Sequence, residues 1–186
     1  MRYAKIEEYE VSNGHLGGQS LYVQGCRFRC PNCFNTETWD FNSGKEWTEE
    51  IENKFIELAS RPYIKRISLL GGECLADENL DGVLNLINKI RLLMPDKTIW
   101  LYTGYCFEEC RPFSEEGILK PNDFAPKLQK ILEKRWKIIK LVDVLVDGRY
   151  IDSQRNIQLM WRGSENQRVI DIQESLKQNK VVLYCD

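Results

Sequence analysis

The chain has 186 residues, a formal net charge of -2, 42% hydrophobic residues and 29% charged residues, which fits a single domain, 1–186, with a buried core. That charge argues against a nucleic-acid partner, since domains that bind polyanions carry a strong basic excess. No apolar run of about 18 residues occurs, so no membrane span is expected; the N-terminal MRYAKIEEYE lacks the apolar stretch of a secretory signal, and the expected location is cytoplasmic.

In chain order, Ser20 to Gln24 reads as a strand running straight into a cysteine cluster. Thr48 to Ser60 reads as a helix, with Thr48 as its cap and Glu49 and Glu50 at its positive end. Ile51, Phe55, Ile56 and Leu58 supply its buried face. Ile64 to Leu70 is the next strand, ending at Gly71-Gly72. Asn79 to Leu93 has helical spacing of Leu80, Val83, Leu84, Ile87 and Ile90, and Pro95 stops it. Thr98 to Tyr102 is a third strand, closed by Thr103-Gly104. Phe124 to Arg135 reads as a helix with Pro126 near its first turn. Val142 to Val146 is a fourth strand ending at Asp147-Gly148, Arg155 to Asp171 lacks periodicity and reads as irregular, and Val181 to Tyr184 reads as a last strand.

Alternating strands and helices predict an α/β fold with mostly parallel strands and outer helices, an incomplete β/α barrel or an open curved sheet. Ligands in such folds gather at the C-terminal strand ends. The cysteine cluster, Gly71-Gly72-Glu73, Thr103-Gly104-Tyr105 and Asp147-Gly148 all fall there.

Seven cysteines are present, and Cys26, Cys30 and Cys33 lie within eight residues in the spacing Cys-x3-Cys-x2-Cys. In a reducing compartment such clustering favours metal or redox chemistry over disulfides. One loop with three thiolates can wrap an iron–sulfur cubane. A [4Fe–4S] cluster held by three cysteines keeps its fourth iron open to a ligand, as catalytic metal sites do. A structural zinc site is the competitor, but it wants four ligands. The chain offers a single histidine, His15, and four distant cysteines. Cys74 reads as a fourth ligand or, more simply, as a buried small residue, and Cys106 and Cys110 as packing residues one helical turn apart. Trp100, Trp136 and Trp161 read as core or interface, His15 as a loop residue, and Asp143, Asp147 and Arg149 as candidate catalytic groups, with Asp147 more simply a turn residue.

The cysteine spacing after a strand, followed by Phe34-Asn35, resembles the signature of the radical S-adenosylmethionine superfamily. Gly71-Gly72-Glu73 resembles that family's Gly-Gly-Glu-Pro motif, with Cys74 where proline is usual. The resemblance implies that the cluster sits on Cys26, Cys30 and Cys33 and that S-adenosyl-L-methionine chelates the open iron. One electron then breaks a carbon–sulfur bond and yields a 5′-deoxyadenosyl radical. Asn32, Cys33, Phe34, Gly71, Gly72, Glu73, Thr103 and Gly104 are the expected cofactor contacts, with Glu73 facing the ammonium group.

Within the superfamily, further blocks resemble the glycyl-radical activases that serve an anaerobic ribonucleoside-triphosphate reductase. They are Val11-Ser12-Asn13-Gly14, Leu101 to Tyr105, Lys140 to Gly148 and Arg162 to Arg168. The implied partners are the large subunit of that reductase and a flavodoxin or ferredoxin as electron donor. Arg162 to Arg168 is expected either to contact cofactor or reductase or to be an ordinary exposed loop. The alternatives are an activase of another glycyl radical enzyme such as pyruvate formate-lyase, a small-molecule radical enzyme, and a non-enzymatic electron-transfer or zinc module.

Overall fold

The structure, a computed structural model, describes residues 1–112 and 125–185. Seven strands form one sheet: β1 (Arg2–Glu10), β2 (Gly18–Val23), β3 (Lys45–Glu46), β4 (Arg66–Gly71), β5 (Thr98–Tyr102), β6 (Val144–Asp147) and β7 (Arg168–Asp171), in the order β3-β1-β2-β4-β5-β6-β7. The central run β2-β4-β5-β6 is parallel. β1 and β7 run against it, and β3 runs against β1. The α/β class and the predominance of one strand direction agree with expectation.

Four helices accompany the sheet: α1 (Glu49–Ala59), α2 (Leu80–Leu93), α3 (Ala125–Leu141) and α4 (Ile172–Gln178). Thr48 caps α1 as expected, its hydroxyl accepting from Ile51 N at 3.3 Å. Side chains alternate across each strand. Leu21, Ile67, Leu69, Ile99, Leu101 and Leu145 therefore join Phe55, Leu86, Ile87 and Ile139 of the helices in the main core. The other face of the sheet carries Trp100, Val144, Val146 and Val169, with Tyr102 and Trp161 packed against them. No described helix is long and apolar enough to cross a membrane.

Four expectations are corrected. α3 continues six residues past Arg135 to Leu141, because Trp136, Ile138 and Ile139 bury one helical face; β6 accordingly starts at Val144 rather than Val142. Phe124, the expected first residue of that helix, lies outside the described residues. The stretch read as irregular ends in β7, whose four residues are too few to show a period and are fixed by pairing with β6. Val181 to Tyr184 is not a strand: it makes a single bridge, Ile170 to Leu183, beside β7. Cys106 is exposed and precedes a 3-10 turn, Phe107–Cys110, whose Cys110 is buried. β1 escaped notice because register shifts between Tyr3 and Lys5 and between Glu7 and Glu10 interrupt its alternation.

On the non-helical face a buried ion pair ties β1 to β4. Arg66 Nη2 lies 2.7 Å from Glu10 Oε1, with Arg66 fully buried. Arg66 also donates to Asn13 O at 2.8 Å and Leu16 O at 3.3 Å. Glu10 accepts from Ser20 Oγ at 2.6 Å and from Asn13 N at 2.9 Å. Gly14, at φ +132, leaves room for this cluster, since a Cβ there would lie 2.5 Å from Arg66 Cδ. Burial works to raise the Glu10 pKa, but the hydrogen bonds from Ser20, Arg66 and Asn13 outweigh it and hold the carboxyl below its ordinary value.

Glu10→Gln leaves the Arg66 charge buried without its counter-ion and is expected to destabilise the fold by about 3 kcal/mol at neutral pH. Because the folded-state pKa is depressed, this stabilisation is present above the unfolded carboxylate's value and is lost as pH falls through the folded one. Urea unfolding across the acid range should show the gap between wild type and Glu10→Gln closing.

Candidate functional site

Parallel register brings the C-terminal ends of β2, β4, β5 and β6 to one rim. The β2–β4 ladder continues past the strands: Gly72 N donates to Val23 O at 2.9 Å and Glu73 N to Gly25 O at 2.8 Å. Glycine is required for this approach. A Cβ on Gly72 would lie 2.6 Å from Gly25 O, and Gly71 has φ +99 with Tyr22 Cα at 2.8 Å from its would-be Cβ.

Glu73 fastens the rim. Its side chain is buried, with Oε1 accepting from Leu75 N at 2.8 Å and Thr103 Oγ1 at 2.7 Å, and Oε2 accepting from Gly104 N at 2.8 Å. Burial raises its pKa, against these hydrogen bonds. Asn79 Nδ2 adds bonds to Glu73 O and Gln24 O, each 3.0 Å. One carboxylate therefore joins the ends of β4 and β5, and its backbone joins β4 to the cysteine loop.

The cysteine loop leaves β2 at Gly25 and turns tightly. Arg29 and Asn32 sit at φ +47 and +54, and Cys33 N donates to Cys30 O at 3.1 Å. Gln24 Nε2 reaches Glu37 O, Asp40 O and Ser43 Oγ and so anchors the chain beyond the loop. Arg27 pairs with Glu78, and Phe28 packs edge-on to Tyr105 with ring centres 4.8 Å apart. Asn32 Nδ2 donates to Asp152 Oδ2 at 2.8 Å, and Tyr150 OH donates to Asp152 Oδ1 at 2.7 Å. Burial pushes the Cys26 thiol up to about 11 and raises Cys30 as well. Such thiols ionise when a metal takes the proton's place.

Two cavities meet here. The smaller, about 140 Å³, is lined by Cys26, Cys30 and Cys33 together with Gly71, Gly72, Glu73, Thr103 and Gly104. The larger, about 570 Å³, spreads over the non-helical face of the sheet and is walled by residues 155–157, 159 and 161–163. Cys33, Asn35, Leu70, Tyr102 and Tyr150 border both. The phenol of Tyr102, at this junction, is buried and has no hydrogen-bond partner among the described residues. Among the described residues no three His, Cys, Asp or Glu side chains surround one metal-ion position. A single zinc ion needs ligand atoms converging at about 2–2.3 Å, whereas each cysteine of a cubane takes a different iron. Three thiols spread around one cavity fit a cluster.

The comparisons agree with this geometry. The family of the 4Fe-4S single cluster domain matches residues 13–170. Anaerobic ribonucleoside-triphosphate reductase-activating protein of Salmonella typhimurium is 34% identical over 171 residues, covering 91% of this chain and 97% of that protein. The protein of the same name from Vibrio cholerae is 34% identical over 169 residues, covering 90% and 96%, and that of Enterobacteria phage T4 is 30% identical over 171 residues, covering 91% and 93%. The chain belongs to the family of anaerobic ribonucleoside-triphosphate reductase-activating proteins.

For a member of this family the sequence motifs land unevenly. Eight of the residues expected at the site border the smaller cavity, as just described, while Phe34 borders only the larger one and is 64% exposed. Asn32 is engaged by Asp152. Cys74 is buried in the helix-side core, as expected. Asp147 is more than a turn residue: buried, it accepts from Phe107 N at 2.8 Å and from Arg168 Nε at 3.0 Å. The block from Arg162 to Arg168 divides. Ser164, Asn166 and Gln167 brace the segment 148–151 through Ile151 N, Arg149 O and Gly148 O, and Arg168 pairs with Asp147 and Glu108. Arg162 and Gly163 line the larger cavity. Arg149, weighed from the sequence as a catalytic candidate, borders the smaller cavity; Tyr102 and Tyr150 were missed, and their position near Thr103 and Gly148 at strand ends was the available signal.

Glu73→Gln sets an amide N–H₂ against backbone and hydroxyl donors. It is expected to cost about 2 kcal/mol of stability and to lower iron bound after anaerobic reconstitution, read by urea unfolding and iron assay.

Proposed function

We propose that this chain is the activase of an anaerobic ribonucleoside-triphosphate reductase and forms a glycyl radical on that enzyme's large subunit. In this reading Cys26, Cys30 and Cys33 hold a [4Fe–4S] cluster through three irons, and S-adenosyl-L-methionine takes the fourth. When bound and reduced by an external electron donor, the cluster would supply the one-electron chemistry that splits the cofactor into methionine and a 5′-deoxyadenosyl group able to take a hydrogen atom from glycine. The observation that carries the reading is the placement of all three thiols and both rim glycines around one cavity, in a chain of this family.

The protein's own residues do the positioning. Gly71 and Gly72 permit close backbone approach, and Glu73 fixes Thr103 and Gly104 beside it. A carboxylate offers about four acceptor positions. Three are taken internally at Glu73, which leaves one toward an ammonium group. Asn32 sets the loop through Asp152, and Phe34 lines the larger cavity beside Tyr150, with ring centres 5.4 Å apart. We read the open sheet as the partial barrel of the superfamily, the location as cytoplasmic, the electron donor as a flavodoxin or ferredoxin, and nucleic acid as no partner.

Cys26→Ala, Cys30→Ala and Cys33→Ala should each lose reconstituted iron and reduce 5′-deoxyadenosine release under dithionite to background. Cys74→Ala and Cys106→Ser should keep both. A colourless zinc protein, or a cluster whose spectrum ignores added S-adenosylmethionine, would contradict the assignment. Glycyl radical formed on pyruvate formate-lyase but not on the reductase would redirect the partner.

A further inference from the structure

We propose that Arg162 holds the glycine-bearing segment of the reductase inside the larger cavity by donating a hydrogen bond from its guanidinium to a backbone carbonyl of that segment. The proposal rests on the reading above that a protein glycine is the substrate.

The Nε of Arg162 is buried and has no hydrogen-bond partner among the described residues. A buried donor left unpaired costs about 1–3 kcal/mol, more when charged, so its retention calls for an acceptor that arrives from outside. Arg162 lines the larger cavity and is not among the residues bordering the thiol cavity. A cofactor anchored on the cluster enters from the thiol side, past Leu70, Tyr102 and Val146, which border both cavities. The group that yields its hydrogen meets it in the larger cavity, which Arg162 lines.

The chemistry of the substrate points the same way. Glycine has no side chain, so recognition close to the reacting carbon must use backbone N–H and C=O groups. A guanidinium carries donors only and is permanently charged, which matches carbonyl oxygens and rejects cations. The wall is also built to present this residue. Trp161 has φ +61, a left-handed conformation rare for a bulky residue. It is held there by ring contacts to Trp100 and Tyr184, with centres 5.0 and 6.0 Å away. Beside it lies an apolar lip: Ile157 is 86% exposed and Met160 53%. Such side chains gain by being covered when a partner segment enters.

The test uses the reconstituted holoenzyme with the large reductase subunit. For Arg162→Met and Arg162→Lys, the ratio of glycyl radical (by electron paramagnetic resonance) to 5′-deoxyadenosine released should fall at least tenfold. Lys retains charge but lacks the Nε donor, so a Lys variant with wild-type ratio overturns the hydrogen bond. Ile157→Asp, on an exposed side chain that leaves the fold untouched, should weaken reductase binding at least tenfold in a sedimentation or surface-binding assay. A parallel loss of cofactor cleavage and radical yield in the Arg162 variants would assign the residue to the cofactor and overturn the proposal, as would unchanged ratios. Failure of wild type to cleave S-adenosylmethionine at all would instead remove the activase reading itself.

Discussion

A single buried carboxylate makes the functional rim possible. Glu73 accepts from Leu75, Thr103 and Gly104, and its own N–H reaches back to Gly25 at the mouth of the cysteine loop. Burial of an unpaired carboxylate would be prohibitive, and these three donors make it tolerable. The same bonds fix the relative heights of three strand ends. The cavity that the thiols share with two glycines thus inherits its shape from a polar knot that the solvent does not reach.

The parallel direction of β2, β4, β5 and β6 was legible because a helical pattern lies between each strand and the next, whereas their order in the sheet was not. The convergence of the cysteine loop with Gly71-Gly72-Glu73 and Thr103-Gly104 was legible because all three follow C-terminal strand ends. The remainder depended on partners distant in sequence. β1 is disguised by its three glutamates and its bulges, and β7 by its brevity. The α3 terminus was hidden because Ile138 and Ile139 suit a strand in isolation, and only their burial against the helix-side core favours a helix. Glu73 was read as a ligand contact, and its further role as a brace was hidden: no sequence pattern announces that it also accepts from Thr103, thirty positions on.

The Arg162 to Arg168 stretch shows how one run of polar residues serves two ends. Its C-terminal part is a brace, with Gln167 accepting from Gly163 and Ser164 and donating to Gly148. Its N-terminal part faces open space in the larger cavity. Charge alone makes the two parts look alike in sequence; the hydrogen-bond inventory separates them.

The three closely spaced thiols hang outside the packed interior. Cys26, Cys30 and Cys33 are only partly covered, and none belongs to the apolar cluster of Leu21, Ile67, Leu101 and their neighbours. Small zinc domains collapse when stripped, since their metal is their core. Here the scaffold owes its integrity to hydrocarbon packing, so under the proposed ligation loss of the inorganic centre should leave an intact shell that can be recharged with iron and sulfide rather than made anew.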